Sequence, residues 1–277
     1  MKSFPDAKFL LLGVAVALTT LHLHLVWRSE HPELLEPSLL CWAAAWFVAG
    51  RREWGKLDSG LAATSLGIVA IAWILLRSAS VTGYDSFLRF APIVSGFGLA
   101  LLASGFGQLK HYWRELAILG FIAIPTTSLM AALDISRLTA DFASNLLWYG
   151  GYPVTQQGVN LIMPTGTVEV YPGCSGISLI FQLLTLTFIF VMLFPLSRLQ
   201  SAVLPIIAIS IGFFVNGIRV ALMAILFAQA KRDAFEYWHL GTGSLIFSLI
   251  AVALLGGVCY YLLEQAEPSD VQEGAEL

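Results

Sequence analysis

Runs of about twenty apolar residues recur along the whole chain, and that is the length a helix needs to cross the roughly 30 Å hydrocarbon core of a bilayer. Lipid offers no hydrogen-bond partner to backbone N–H and C=O groups, so each run must satisfy its own as a helix. The clearest runs cover 7–27, 60–79, 87–107, 176–196, 199–227 and 240–263. Two others, 34–50 and 116–133, carry Pro37 and Pro125, a residue type that membrane helices tolerate when neighbours take up the freed carbonyl. The expected fold is an all-α integral membrane protein with about eight transmembrane helices.

Composition agrees. The 277 residues are 57% hydrophobic and only 12% charged, and the mean hydropathy of +0.78 excludes an ordinary soluble domain. A formal charge of −3 leaves no net basic field for phosphates, so nucleic acid is not an expected partner. Cys41, Cys174 and Cys259 are too few and too scattered for a disulfide framework or a zinc site. His22 and His24 point to nearly opposite helix faces, and with His31 they make no metal set; no metal or organic cofactor is indicated. Gly96, Ala100 and Ser104 read as a helix-packing face. The first run lacks a small-x-small cleavage site and reads as a retained helix. An inner N-terminus puts Lys2, Lys8, Arg51, Arg52, Lys56, Lys110, Arg114 and Arg198, 8 of the 15 basic residues, on the cytoplasmic side. This is a modest bias, which the Arg51-Arg52 cluster supports.

The interval 134–175 interrupts the apolar pattern with Asp134, Arg137, Asp141, Asn145, Gln156, Gln157, Asn160 and Glu169, and is expected on the outer face. Over 135–149, Leu138, Phe142, Leu146 and Tyr149 recur at steps of three to four, which fits an amphipathic helix lying in the interface. Residues 159–163 and 167–171 are β-rich and flank Pro164-Thr165-Gly166, so a short β-hairpin is expected before the sixth helix. The chain then divides into helices 1–5 (1–133), the outer insert (134–175), helices 6–8 (176–263) and an acidic disordered tail (264–277).

An ionisable group inside a membrane span is costly unless it faces a cavity or a partner, which singles out Arg219. Asn216, three residues earlier, shares its helical face. If the sixth helix enters at Gly176 on the outer side and the chain turns near Arg198, Arg219 lies roughly 31 Å back up the next helix, at 1.5 Å per residue. That returns it to the level of Cys174, and His239 is expected to open the last helix on the same side. A thiol, a guanidinium and an imidazole at one depth suit nucleophilic catalysis at an acyl carbon. A place at a helix N-terminus would favour the thiolate of Cys174. Gly173 and Gly176 would leave the backbone open to an approaching peptide, and Ser175 is a candidate N-cap or donor. Cys41 and Cys259 read as packing residues.

The sequence Cys174-Ser175-Gly176, then Asn216-Gly217-Ile218-Arg219, then His239 resembles the exosortase/archaeosortase family of multi-pass membrane enzymes. The likeness is most specific over 150–257, and the Tyr-Pro-Gly-Cys-Ser-Gly form looks like the cyanobacterial branch. The resemblance implies a cysteine protease/transpeptidase in the plasma (inner) membrane with its active site facing outward. Its substrates would be exported proteins ending in a Pro-Glu-Pro-type (PEP-CTERM) motif, a transmembrane helix and a basic end, passed through a thioester to a surface acceptor. By motif matching, Cys174 would be the nucleophile, Arg219 the electrostatic stabiliser and His239 the acid/base, with Ser175, Gly176 and Asn216 in support. His239, where some members have Arg, places the chain on the exosortase side. Rival functions are a transporter or a non-catalytic factor for surface-polysaccharide assembly. The polar insert occurs once, and the first half has no counterpart of Cys-Ser-Gly, which argues against the paired halves common in transporters.

Overall fold

Five helices among the described residues are long and apolar enough to cross a membrane: Lys8–Arg28, Leu61–Ser78, Phe87–Ser104, Arg198–Ala228 and Ser244–Gln265. The structure is a computed structural model that describes residues 5–30, 32–52, 59–125, 128–129, 132–239 and 241–266. Only 22% of the Ser244–Gln265 window is buried within the chain, so most of its apolar side chains face outward and need lipid to cover them. The protein is a multi-pass membrane protein. The chain divides into two units, Met1–Pro125 and Thr126–Leu277.

The first unit holds α1 (Pro5–Arg28), α2 (Pro32–Gly50), α3 (Leu61–Ser78), α4 (Phe87–Ser104), a 3-10 segment (Phe106–Tyr112) and α5 (Trp113–Phe121). Glycines set the spacing of α4 and its neighbours. A Cβ on Gly67 would lie 2.9 Å from the Gly98 carbonyl oxygen, and one on Gly96 would lie 2.7 Å from the Leu119 side chain. Of the packing face expected on α4, Gly96 thus meets α5 and Ala100 is buried. The run expected as a span over 116–133 is not continuous: α5 ends at Phe121, four residues before Pro125, whose ring would clash with that carbonyl. The run at 34–50 does form a helix, with Glu33 in its first turn. The expectation of eight spans is therefore met only in part.

The second unit holds α6 (Ser136–Tyr149), three short strands, a 3-10 turn (Pro172–Cys174), α7 (Ile177–Leu193), α8 (Arg198–Ala228), α9 (Arg232–His239) and α10 (Ser244–Ala266). Helix α7 is apolar but only 17 residues long. A capping box starts α8: Ser197 Oγ accepts from the Gln200 N–H at 3.2 Å, and Gln200 Oε1 accepts from the Ser197 N–H at 2.9 Å. Close approach of α7 and α8 depends on Gly212, where a Cβ would lie 2.8 Å from Ile180. The two helices share a core with α10 built on Leu183, Leu204, Ala208, Val215, Phe247 and Ala251. The tail expected from 264 onward begins as helix, since α10 runs to Ala266; residues 267–277 lie outside the described ones.

The expected hairpin is present as β2 (Asn160–Met163) and β3 (Gly166–Glu169), antiparallel, with Asn160 opposite Glu169 and Met163 opposite Gly166. A further strand, β1 (Thr155–Gln157), pairs with β2 through a two-residue loop in which Gly158 takes φ +64°, so the sheet has the order β1-β2-β3. Helix α6 forms where expected, and most of its apolar stripe faces outward, as a helix lying in the interface requires. Ser136, Thr139, Ala140, Ala143 and Leu147 are buried, whereas Leu138, Leu146 and Tyr149 of the predicted apolar stripe are exposed. Small residues let α6 lie close on α8, where a Cβ on Gly217 would run into the Phe142 ring. Of the bulky stripe, Phe142 packs on α8 while Leu138, Leu146 and Tyr149 are left to the surroundings.

Candidate active site

Cys174 sits at the end of the 3-10 turn, held there through backbone groups on both sides. Its N–H donates to the Tyr171 carbonyl at 2.8 Å, and its own carbonyl accepts from Asn216 Nδ2 of α8 at 2.9 Å. The next carbonyl, that of Ser175, accepts from Thr139 Oγ1 of α6 at 2.8 Å. Ser175 itself is buried; its Oγ donates to the Pro172 carbonyl at 2.8 Å and accepts from the Ile177 N–H at 3.4 Å, so it steadies the turn from within. Buried carbonyls left unpaired would be costly, and here each finds a donor from another helix.

Two glycine expectations need correction. Gly176 takes φ +91° as N-cap of α7, and a Cβ there would lie 2.7 Å from the Asn216 side chain. A Cβ on Gly173 would lie 2.5 Å from the Tyr171 ring. These glycines make room for the protein's own Asn216 and Tyr171, and Gly176 also supplies the left-handed backbone that other residues rarely adopt. Cys174 lies three residues before α7 begins, in the preceding turn and not in the first turn of the helix.

Arg219 comes from the last third of α8. Beyond it the helix closes with Ala230 at φ +54°, the Lys231 N–H bonded to the Leu226 carbonyl and the Ala230 N–H to the Phe227 carbonyl. This is a Schellman turn with alanine where glycine is usual. It reverses the chain into α9, whose last residue is His239. His239 therefore ends a separate short helix instead of opening the last one, because Gly241 and Gly243 interrupt the chain before α10 starts at Ser244. Its ring packs on Phe235, one turn earlier, with centroids 5.1 Å apart, and Phe235 in turn meets Phe227.

The three side chains meet across 65 residues of sequence. Cys174 Sγ lies 3.5 Å from His239 Nε2, within hydrogen-bonding reach for sulfur. Arg219 Nη2 donates to the His239 carbonyl at 2.9 Å, so the guanidinium also caps the C-terminus of α9, where carbonyls lack helical partners. Arg219 Nε is buried and has no partner among the described residues. His239 titrates below the ordinary histidine value of 6.5, through burial first and the Arg219 charge second. Its imidazole is thus neutral at pH 7 and free to take a proton. Tyr171 was not anticipated. Its phenol is held above the ordinary value of 10.0, first by its hydrogen bond to Cys174, then by the charge of Cys174 and by burial, with Arg219 pulling the other way.

These groups border a cavity of about 220 Å³ that β3 and Tyr171 enclose on one side and Val220, Met223, Phe227 and Phe235 on the other. Cys41 is fully buried, and Cys259 packs beside the α7–α8–α10 core; neither lines this cavity. Thr139 was also missed. Its signal was the small-residue spacing Ser136, Thr139, Ala140, Ala143, which marks a closely packed helix face. A family model described as transmembrane exosortase (Exosortase_EpsH) matches residues 7–256. No curated protein and no solved structure gives a significant match.

Proposed function

The chain belongs to the transmembrane exosortase family, and we propose that it is a membrane-embedded cysteine protease/transpeptidase that cuts the C-terminal sorting signal of exported proteins. The substrates would carry a PEP-CTERM-like motif followed by a transmembrane tail, and cleavage would occur at the outer interface of the plasma (inner) membrane. A tail that spans the bilayer brings its motif to the level of the cavity, so insertion supplies much of the positioning. The observation that carries this reading is the 3.5 Å approach of Cys174 Sγ to a half-buried, neutral His239.

The reaction follows from the groups present. His239 Nε2 takes the proton of the Cys174 thiol as the sulfur attacks the scissile carbonyl carbon. Negative charge develops on the carbonyl oxygen, where the Arg219 guanidinium stabilises it. The C–N bond then breaks, His239 returns the proton to the departing amine of the tail, and the substrate remains as a thioester on Cys174. A nucleophilic O–H or N–H of a surface acceptor, or water, attacks that thioester. His239 accepts the incoming proton and restores it to the sulfur. Asn216, Gly176 and Ser175 act through the backbone of the turn, fixing where the sulfur points.

Intact-mass analysis of a tail-bearing substrate incubated with the enzyme in bilayer discs tests this. The wild-type chain is expected to yield a trimmed product, with or without an added acceptor mass, and Cys174→Ala none. Equal trimming by Cys174→Ala would overturn the thiol mechanism.

A further inference from the structure

The cavity beside Cys174 is lined by five consecutive residues, Thr167 to Tyr171. Side chains of a strand alternate between its two faces, so a cavity over one face would meet only every second residue. A cavity that meets all five runs along the strand's edge. Strand β3 is an edge of the sheet, since among the described residues its only strand neighbour is β2. The Val170 N–H donates to the Val159 carbonyl at 2.9 Å, which sets the alternation of the ladder. Val168, opposite Leu161, therefore points its N–H and C=O toward β2, whereas Thr167 and Glu169 turn theirs to the free edge. Among the described residues no hydrogen bond engages those outward groups. An exposed edge of this kind is a template for another strand.

We propose that β3 is the docking strand for the substrate: an extended peptide segment adds antiparallel or parallel to its free edge, exchanging hydrogen bonds with Thr167 and Glu169, and is thereby led to the Cys174 sulfur. The inference rests on the cysteine-peptidase reading for the identity of the ligand, a protein substrate ahead of its transmembrane tail. Recognition through backbone groups fixes register and direction. Val220, Met223 and Phe227 offer an apolar floor to side chains of the added strand, and the far end closes where a Cβ on Gly166 would lie 2.8 Å from the Phe227 ring. Only every second residue of the ligand pairs with β3. The residues between need no free N–H.

Binding to Cys174→Ala enzyme in bilayer discs tests docking apart from chemistry. The probes are synthetic peptides comprising an extended segment from a tail-bearing exported protein and its transmembrane helix, N-methylated at one position at a time. Affinity is expected to fall roughly tenfold at alternate positions and to change little between them, the period of two expected when single main-chain hydrogen bonds are removed. Thr167→Pro in the same background removes one outward N–H and no bond to β2, and is expected to weaken the unmodified peptide by a similar factor, whereas Thr167→Ala is not. A flat methylation profile, or a Thr167→Pro enzyme that binds as tightly as its parent, overturns the docking strand. If Cys174→Ala abolishes cleavage in the intact-mass assay while the methylation profile is flat, the thiol mechanism stands and the docking strand alone is lost. If Cys174→Ala cleaves normally while binding still alternates, docking stands and the thiol mechanism falls.

Discussion

The N-terminal and C-terminal units are both apolar helix assemblies with polar side chains at depth, and they treat those side chains differently. In the first unit, several polar groups pair with one another or with backbone carbonyls, although Trp42 and Glu115 also border an apolar cavity of about 100 Å³ and Glu115 Oε2 has no partner among the described residues. Trp42 Nε1 donates to His22 Nδ1 at 3.1 Å and His22 Nε2 donates to the Leu88 carbonyl at 2.8 Å. Arg52 pairs with Glu115 at 2.6 Å, and Arg89 bonds Tyr84 and the Ile124 carbonyl. In the second unit, a thiol, an imidazole and a phenol are turned toward a cavity, and Arg219 spends one of its donors on the backbone of His239. An ionisable residue in a membrane helix is thus not itself the mark of a site. What separates a strut from a site here is a thiol within reach of an imidazole at open volume, a pairing that the lining of the first unit's cavity lacks.

The two histidines make the sharpest version of that contrast, and they carry the largest expected effect. His239→Gln should lower kcat/KM for tail cleavage by about 10²- to 10⁴-fold, the range for loss of a general acid/base, with the folded fraction unchanged. A loss of less than threefold would place His239 among the struts. An intermediate effect is expected at Arg219. Its charge helps hold the His239 pKa below 6.5, and the imidazole must be neutral to accept the thiol proton, so activity falls as pH drops through that pKa. Arg219→Gln removes the charge and should move the acid limb of the pH–rate profile upward toward 6.5. Arg219→Lys keeps a charge but loses the planar fork, so the limb should stay nearer its place while turnover falls about tenfold. If both variants match the wild-type profile and rate, the guanidinium only caps α9.

Much of the site was legible because it rests on arithmetic along helices. Apolar runs mark the spans, and 1.5 Å per residue brings Arg219 back to the depth of Cys174 without knowledge of any contact. What could not be read depends on contacts between distant elements. Thr139 reaches the Ser175 carbonyl from 36 residues away; the small-residue spacing around it marks a packed helix face but not the carbonyl it meets. Gly176 was noticed, but its reason, the Asn216 side chain where a Cβ would be, exists only once α7 and α8 are packed. The exposed stripe on α6 fits the interfacial helix its spacing predicts; what went unread is the small-residue face by which the same helix packs on the protein. Strand β1 was missed because Thr155-Gln156-Gln157 has little β-propensity and forms by pairing with β2.

The smallest expected effect is the most revealing about why a strut is there. Pro92 lies inside α4 and has no N–H, so the carbonyl four residues before it, that of Leu88, loses its helical partner. His22 of α1 supplies the missing donor, and Trp42 of α2 fixes the tautomer by bonding the other ring nitrogen. His22→Leu would leave both the carbonyl and the indole N–H unpaired in an apolar interior, at about 1–3 kcal/mol for each orphaned group. Thermal unfolding should fall accordingly, while kcat/KM per folded molecule stays at the wild-type value. Pro92→Ala returns an N–H to Leu88, so the cost of His22→Leu should shrink by about 1 kcal/mol in that background, a coupling that a double-mutant cycle reads directly. Strict additivity would mean that His22 is kept for packing and not for the carbonyl that the proline sets free. A loss of turnover without loss of stability would move His22 from the first unit's struts to the enzyme's machinery, and the contrast between the two units would no longer hold.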